Sequence, residues 1–270
     1  MVMNTTASRA ERHRACTFEL ESQAARYENH YSARRRVLRR LVRFDVRYRV
    51  HRLRELIHEL DLEARPLSVL EVGYGNGELL ASLPLPWRIT GAELAWSAVR
   101  QARQDPRFRG FRGARFVQIT ECADTLPPGP FDLVLSSHVL EHVPNDAELL
   151  HAMRARLAVH GTLILFVPIE EPDYIRFHRR NYSLQSIVER VSQAGFEVTR
   201  AEGSMHVNGH VWKLLTIPSR RAWPLMGPAV DALRCTSLSL LPYRLIRATD
   251  AMMDALGFGA RQALVVARRV

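Results

Sequence analysis

Between residues 67 and 203 the chain alternates short apolar runs with amphipathic stretches, and this alternation limits the folds open to it more than any other feature. Apolar runs of about four to eight residues have the length of buried strands, and the stretches between them are long enough for helices. The pattern predicts an α/β fold, a parallel sheet with crossover helices. The predicted strands are 68–72, 87–93, 114–119, 131–137, 161–168 and 196–203, and the predicted helices are 77–83, 95–104, 145–158 and 183–194.

The segments on either side of this region differ from it. Residues 8–62 contain no Gly or Pro, which predicts two or three helices. Residues 204–258 are apolar and interrupted by prolines, which predicts short helices before a last strand at 261–269. We therefore expect four parts: an N-terminal helical cap (1–65), the α/β core (66–203), a helical insertion (204–258) that forms a lid or an interface, and the final strand of the core (259–270).

The net charge of +10 raises the question of a nucleic-acid partner. Lys213 is the only lysine among 38 basic residues, and such a skew indicates a coding bias toward arginine as much as a ligand. Ten arginines lie between Arg34 and Arg54, interleaved with apolar residues. This stretch is either a solvated helix face with a buried stripe, which we favour, or a surface for anionic partners.

Cellular location is predicted from cysteines and apolar runs. Cys16, Cys122 and Cys235 are far apart and form no C-x-x-C pair, which favours a reducing compartment. No apolar run is long enough to span a membrane, and the N-terminus lacks the apolar centre of a signal peptide. We expect a cytoplasmic protein.

The stretch VLEVGYGNGELL places Glu71 at a strand end and then glycines at alternate positions, Gly73, Gly75 and Gly77, before a helix. Alternating glycines allow a tight turn and let backbone N–H groups approach a ligand closely. The dinucleotide pattern G-x-G-x-x-G is not met, because Glu78 stands three residues after Gly75. The sequence has E-x-G-x-G-x-G instead.

This motif, in its strand-loop-helix setting, resembles the class I S-adenosylmethionine-dependent methyltransferase family, in its small-molecule branch. The resemblance covers residues 66–203 and the last strand. It implies a Rossmann-like seven-stranded methyltransferase sheet, S-adenosylmethionine as cofactor, and methyl transfer as the activity. It also implies that Gly73, Tyr74 and Gly75, with Gly77 closing the loop, lie under the methionine part of the cofactor while Glu71 anchors its amino group.

Two further motifs extend the resemblance. Glu93 ends the second predicted strand, where an acidic residue can accept both ribose hydroxyls, and Leu94 would lie near the adenine. After the third strand the family commonly has an aspartate, but this chain has Cys122, a weak acceptor. Either Glu121 or Asp124 substitutes for it, or the adenine is held by the N–H of Ala123 and by packing. Ser137, at the end of the fourth strand, completes the implied cofactor site.

The segment SHVLEHVPN contains H-x-x-E-H, formed by His138, Glu141 and His142. A zinc-peptidase centre has this spacing within a long helix, but here the motif follows a strand and Pro144 interrupts any long helix. Some relatives of the resembled family hold a divalent ion at this location with E-x-x-E-H, and His178 would be a fourth ligand. We do not favour a metal: "LEHV" is widespread in members without one, where it caps and packs the next helix. A third interpretation makes His138, or less favourably His142, a general base.

The leading hypothesis is O- or N-methylation of a small-molecule acceptor of the secondary-metabolite, lipid or quinone type. One alternative is an RNA methyltransferase that uses the basic N-terminal helices; nucleic acid is the less favoured partner. Another is a scaffold without catalysis that binds a partner through the 204–258 insertion. A homodimer is left open. The stretch RFHRRNYS offers Arg176, Arg179, Arg180 and Tyr182 either to an anionic group of the acceptor or to a solvated loop, which we favour slightly.

Overall fold

The computed structural model describes residues 44–120, 123–170, 178–206 and 242–270. Predicted helices before residue 44 and most of the predicted 204–258 insertion lie outside this part of the chain. The helices are α1 (Phe44–Glu59), α2 (Trp96–Gln104), α3 (Asp146–Arg156), α4 (Leu184–Gln193) and α5 (Tyr243–Ala255). The strands are β1 (Ser68–Val72), β2 (Arg88–Glu93), β3 (Gly113–Gln118), β4 (Phe131–Ser137), β5 (Leu157–Pro168), β6 (Phe196–Ser204) and β7 (Gln262–Arg269).

The seven strands form one sheet in the order β3-β2-β1-β4-β5-β7-β6. Strands β1 to β5 are parallel, and β7 runs antiparallel to both of its neighbours, β5 and β6. The chain order reverses between β1 and β4, so the loops after these strands diverge at one edge of the sheet. Ligands of open α/β sheets bind at this kind of switch point, beyond the carboxyl ends of the strands.

The core consists of two apolar layers, one on each face of the sheet. On one face Leu53 and Leu56 of α1 pack with strand residues such as Leu133. On the other face Leu150 of α3 and Ile187 of α4 pack with the alternate strand residues. Side chains of successive strand residues point to opposite faces, which explains why apolar residues occupy consecutive positions in the central strands. Among the described helices, none is both long and apolar enough to cross a membrane.

The predicted strands are all confirmed, and β1 and β4 have the predicted bounds. The predicted helix 77–83 is wrong, because only a 3₁₀ turn, Leu80–Ser82, forms there. Gly77 has a left-handed φ of 68°, which delays the start of any helix, and Pro84 favours the extended conformation seen at Leu83. One turn is all that fits between them.

Gly91, in the middle of β2, gives a test of the packing beneath the sheet. A β-carbon there would lie 2.6 Å from Cδ1 of Tyr74 and 2.9 Å from Cδ1 of Phe116. We expect Gly91→Ala to lower the free energy of unfolding by about 1–3 kcal/mol, because both rings must move. Gly113→Ala, in the neighbouring strand, is the matched control, since its β-carbon would meet only Cγ of Arg88 at 3.7 Å. Urea unfolding of the two variants should separate them; equal stabilities would contradict the packing.

Candidate cofactor and catalytic site

The glycine loop connects β1 to the 3₁₀ turn. The chain leaves β1 with positive φ at Gly73 (73°), Gly75 (55°) and Gly77 (68°). Residues with a side chain rarely adopt this conformation, whereas glycine adopts it at little cost. A β-carbon at Gly73 would lie 2.3 Å from Cγ2 of Val139, so the loop packs directly against the segment that follows β4. The three predicted glycines form a tight turn at the carboxyl end of β1.

Glu71 lies in β1 next to this turn, and its side chain is buried (2% exposed). The N–H of Leu80 donates a hydrogen bond to the carboxyl group, but Oε2 has no hydrogen-bond partner among the described residues. Burial raises the pKa of Glu71 to about 8, against the opposing effects of the Leu80 hydrogen bond and the positive charge of Arg49. A buried carboxyl oxygen without a partner fits a ligand that brings a cationic amino group.

Glu93 ends β2, and its buried carboxylate holds the glycine loop. Its Oε2 accepts a hydrogen bond from the N–H of Gly75 (2.8 Å), and Oε1 accepts one from the N–H of Leu94 (2.8 Å). Each carboxylate oxygen has two lone pairs, so this group can stabilise the loop and also accept hydrogen bonds from ligand hydroxyls. The predicted ribose contact is compatible with this geometry and stays a prediction.

The other predicted cofactor residues have varied surroundings. The Tyr74 ring is buried against that of Phe116, with centroids 5.4 Å apart, which leaves its backbone to line the loop. Ala123 is buried at the start of a 3₁₀ turn, and Ser137 is half-buried at the end of β4. Cys122 lies outside the described residues, so the way in which the adenine is held stays a prediction.

The H-x-x-E-H motif lies in a loop between β4 and α3, which we call the post-β4 loop (residues 138–145). His138 has a φ of 56°, and its N–H donates a hydrogen bond to O of Phe166 (2.8 Å), so the chain turns as soon as β4 ends. The motif residues therefore do not share a helical face. The zinc-peptidase interpretation, which needs them on a long helix, finds no support in this geometry.

The imidazole of His138 lies between three polar side chains. Arg49 Nη1 donates a hydrogen bond to Nε2 (2.9 Å), and Oε1 of Gln262 is 3.2 Å from the same nitrogen. Nδ1 is 3.7 Å from Oε1 of Glu141. A guanidinium group only donates, so this arrangement assigns the lone pair to Nε2 and the ring proton to Nδ1. For His138 to accept a proton from a substrate, the substrate hydroxyl must replace Arg49 at Nε2.

Three of the four predicted metal ligands come together. Ligand atoms of Glu141, His142 and His178 all lie within 4.8 Å of one another, with Glu141 buried and both histidines half-buried. The rings of His142 and His178 meet edge to face, 4.7 Å between centroids. His138 is outside this group, and its Nδ1 lies 3.7 Å from Oε1 of Glu141. One carboxylate and two imidazoles suit Zn²⁺, Fe²⁺ or similar transition metals better than Mg²⁺.

Arg49 is a site residue that the sequence analysis missed. Its guanidinium group is buried (5% exposed), donates to Oε1 of Gln262 (3.3 Å) as well as to His138, and pairs with Asp45 (3.0 Å). Arg52, one helical turn further, is also buried and pairs with Glu202. The interpretation of this arginine-rich stretch as a solvated face is wrong at these two positions. No sequence signal distinguishes them from the other arginines around them.

Fold and site together have the features of the class I S-adenosylmethionine-dependent methyltransferase fold: the sheet order, the glycine turn after β1 and the acidic residue that ends β2 occur in one chain. A family model described as a methyltransferase domain matches residues 46–201, more than half of the chain. The chain belongs to this methyltransferase domain family.

Similar proteins agree with this assignment. The chain is 34% identical over 105 residues to the ubiquinone biosynthesis O-methyltransferase of Xanthomonas euvesicatoria, covering 38% of this chain and 44% of that protein. It is 32% identical over 111 residues to the trans-aconitate 2-methyltransferase of Streptomyces coelicolor, covering 40% and 37%. Each match spans less than half of the relative's length. A SAM-dependent methyltransferase of Thermotoga maritima has the same fold, with a TM-score of 0.56, 16% identity and coverage of 92% and 100%.

Proposed function

We propose that the chain transfers a methyl group from S-adenosylmethionine to an oxygen or nitrogen of a small-molecule acceptor. The observation that carries this proposal is the buried Oε2 of Glu71, which has no partner among the described residues and lies beside a glycine turn. When ionised, this carboxyl group would bind the cationic amino group of the cofactor through charge and hydrogen bonding. The two relatives named above support a small acceptor, since their names refer to ubiquinone biosynthesis and to trans-aconitate.

The residues of the glycine turn and of the β2 end would hold the cofactor. Glu71 would bind its amino group, Gly73, Tyr74, Gly75 and Gly77 would line the methionine part with their backbone, and Glu93 would accept the ribose hydroxyls. Leu94, Cys122, Ala123 and Ser137 would contact the adenine and the rest of the cofactor. When bound, the cofactor supplies an electrophilic methyl carbon, which the acceptor atom would attack in line with the departing sulfur, so the protein's main contribution is alignment. His138, or less favourably His142, would receive the proton of a hydroxyl acceptor.

Calorimetry tests this proposal directly. The cofactor-free chain should bind S-adenosylmethionine at one site, and a panel of catechols and small carboxylic acids, assayed with radiolabelled cofactor, should contain an acceptor. Absence of cofactor binding would overturn the proposal and would favour the scaffold alternative. Cofactor binding without transfer to any small acceptor, but with salt-dependent transfer to RNA, would show that the acceptor is RNA and not a small molecule.

RNA is the less favoured acceptor for a structural reason. Arg49 and Arg52 belong to the arginine-rich stretch, yet both are buried and paired with side chains of this chain. They are therefore not available to phosphates. The rest of that stretch before residue 44 lies outside the described residues. Cytoplasmic location and homodimer formation stay predictions.

A divalent ion at Glu141, His142 and His178 is a second proposal, which the 4.8 Å grouping of their ligand atoms favours. We expect His142→Ala to weaken Zn²⁺ or Mn²⁺ binding at least about tenfold, because one of three ligands is lost. His151→Ala, at an exposed histidine of α3, is the matched control. Equilibrium dialysis with metal analysis measures both variants without an activity assay. If neither the wild-type chain nor the control binds an ion, the cluster is not a metal site.

A further inference from the structure

We infer that Arg180 is a positioning residue that fixes the post-β4 loop, and with it the side chains of His138, Glu141 and His142. The inference rests on the proposed methyl transfer, because it concerns the residues that would meet the acceptor. It assigns to Arg180 a task that differs from both of the alternatives suggested by the sequence, an anion contact or a solvated position.

The guanidinium group of Arg180 is bound to the backbone of this loop. Nη1 donates to O of Leu140 (3.1 Å) and to O of Val143 (2.7 Å), and Nη2 donates to O of Pro144 (2.7 Å). The loop belongs to neither a helix nor a strand, so its carbonyl groups need partners from elsewhere. Arg180 supplies partners for three of them with one side chain.

The neighbours of Arg180 strengthen the same connection. The N–H of Arg179 donates to O of Glu141 (2.8 Å). The hydroxyl of Tyr182 donates to Oδ2 of Asp146 (2.7 Å), the first residue of α3. Segment 178–182 therefore lies along the post-β4 loop and the start of α3, with hydrogen bonds to residues from Leu140 to Asp146. His178 begins this segment, so the same contacts bring it to Glu141 and His142.

Arginine is suited to this task for a geometric reason. Its planar group has donors on three nitrogens that point in fixed directions, whereas a lysine ammonium carries its three donors on one atom and fits carbonyls spread over three residues less well. The carbonyl groups use these donors within the protein. Three of the five N–H donors of Arg180 are thus used by the backbone of this chain, which accounts for the side chain without an anionic group of the acceptor.

The test compares Arg180→Met with Arg190→Met. Nε of Arg180 lies 3.8 Å and Nε of Arg190 lies 3.3 Å from Oδ2 of Asp146, so both arginines pair with this carboxylate. Within the described part of the chain, Arg190 donates to no carbonyl of the post-β4 loop. With saturating cofactor, we expect kcat to fall at least about tenfold in Arg180→Met and less than twofold in Arg190→Met. The Kd for S-adenosylmethionine should stay within about threefold in both, because Arg180 donates to loop carbonyls that come after Val139, the loop residue that packs against Gly73. Arg180→Lys should restore only part of kcat.

NMR gives a second measurement of the loop. Side-chain NMR signals of His142 and His178 should move in Arg180→Met and not in Arg190→Met, and this measurement needs no activity. If the wild-type chain transfers no methyl group, the proposed function fails while NMR still decides on the loop. Equal kcat values and unchanged histidine signals in the two variants would overturn the inference, as would a parallel loss of cofactor affinity and kcat. If Arg180→Met does not fold, Arg180→Lys takes its place in the same comparison.

Discussion

S-adenosylmethionine is expected to bind the cofactor-free protein about tenfold more tightly at pH 7.5 than at pH 6, and to displace a proton as it binds. Burial raises the pKa of Glu71 to about 8, so this carboxyl group is largely protonated at pH 6. The cationic amino group of the cofactor favours the ionised carboxylate and lowers that pKa. Binding therefore requires loss of the proton, which costs less as the pH approaches 8.

Calorimetry in two buffers with different ionisation enthalpies measures the released proton. Glu71→Gln should remove the pH dependence and weaken binding at pH 7.5, because the amide cannot become negative. Glu63→Gln, at an exposed position before β1, makes the same change of charge and should leave both quantities unaltered. A pH-independent affinity in the wild-type protein would show that Glu71 does not bind the amino group.

The same group has the opposite effect on stability without cofactor. Its folded pKa of about 8 lies above the ordinary value of 4.5, so between these values the folded state holds a proton that the unfolded state has lost. The contribution of Glu71 to the free energy of unfolding therefore decreases as pH rises from about 4.5 to 8. Compared with Glu71→Gln, the wild-type protein should lose stability across this range, and saturating cofactor should reverse the trend.

The sheet is predictable from the sequence because burial on both faces demands apolar residues along the whole of a central strand. Strand β4, Phe131–Ser137, contains the apolar run Leu133–Leu135, and the predicted strand has the same bounds as the observed one. Helix prediction fails after β1 because the pattern of apolar residues there does not require a helix. Leu79 and Leu80 are buried in the core although they lie at the start of a single 3₁₀ turn. The composition of this stretch does not reveal that the backbone has room for only one turn.

The candidate site is predictable to the extent that it depends on local backbone. Alternate glycines and a following acidic residue are visible in the sequence, and their turn and hydrogen bonds are found in the structure. Arg49 is not visible in this way, because its partners His138 and Gln262 are 89 and 213 residues away in the chain. Its burial results from the way α1 packs on the sheet, which no local pattern records.

The arrangement of the post-β4 loop is also not predictable from the sequence. Spacing alone suggests that His138, Glu141 and His142 share a helical face, but the turn at His138 separates them. Contact with His178 depends on a segment that returns after β5 and is held by backbone hydrogen bonds. Such groupings arise from tertiary contacts, so the sequence indicates which residue types are present but does not predict how they are arranged.

Gly75→Val is expected to weaken S-adenosylmethionine binding by more than about a hundredfold. Gly75 has a φ of 55°, which a β-branched residue adopts only at a cost of about 1–2 kcal/mol, and its N–H donates to the Glu93 carboxylate that orders the loop. A valine side chain would both strain this turn and stand where the backbone must approach the cofactor.

Gly257→Val separates these two effects. Gly257 has a similar φ of 78°, but a β-carbon there meets no atom within 4 Å, and it lies after α5, far along the chain from the glycine turn. Both variants should lose comparable stability in thermal unfolding, because both force valine into the left-handed conformation. Only Gly75→Val should lose cofactor affinity in calorimetry. If the two variants bind S-adenosylmethionine equally well, the glycine turn is not the cofactor site; if both bind poorly, strain and not proximity to the ligand explains the loss.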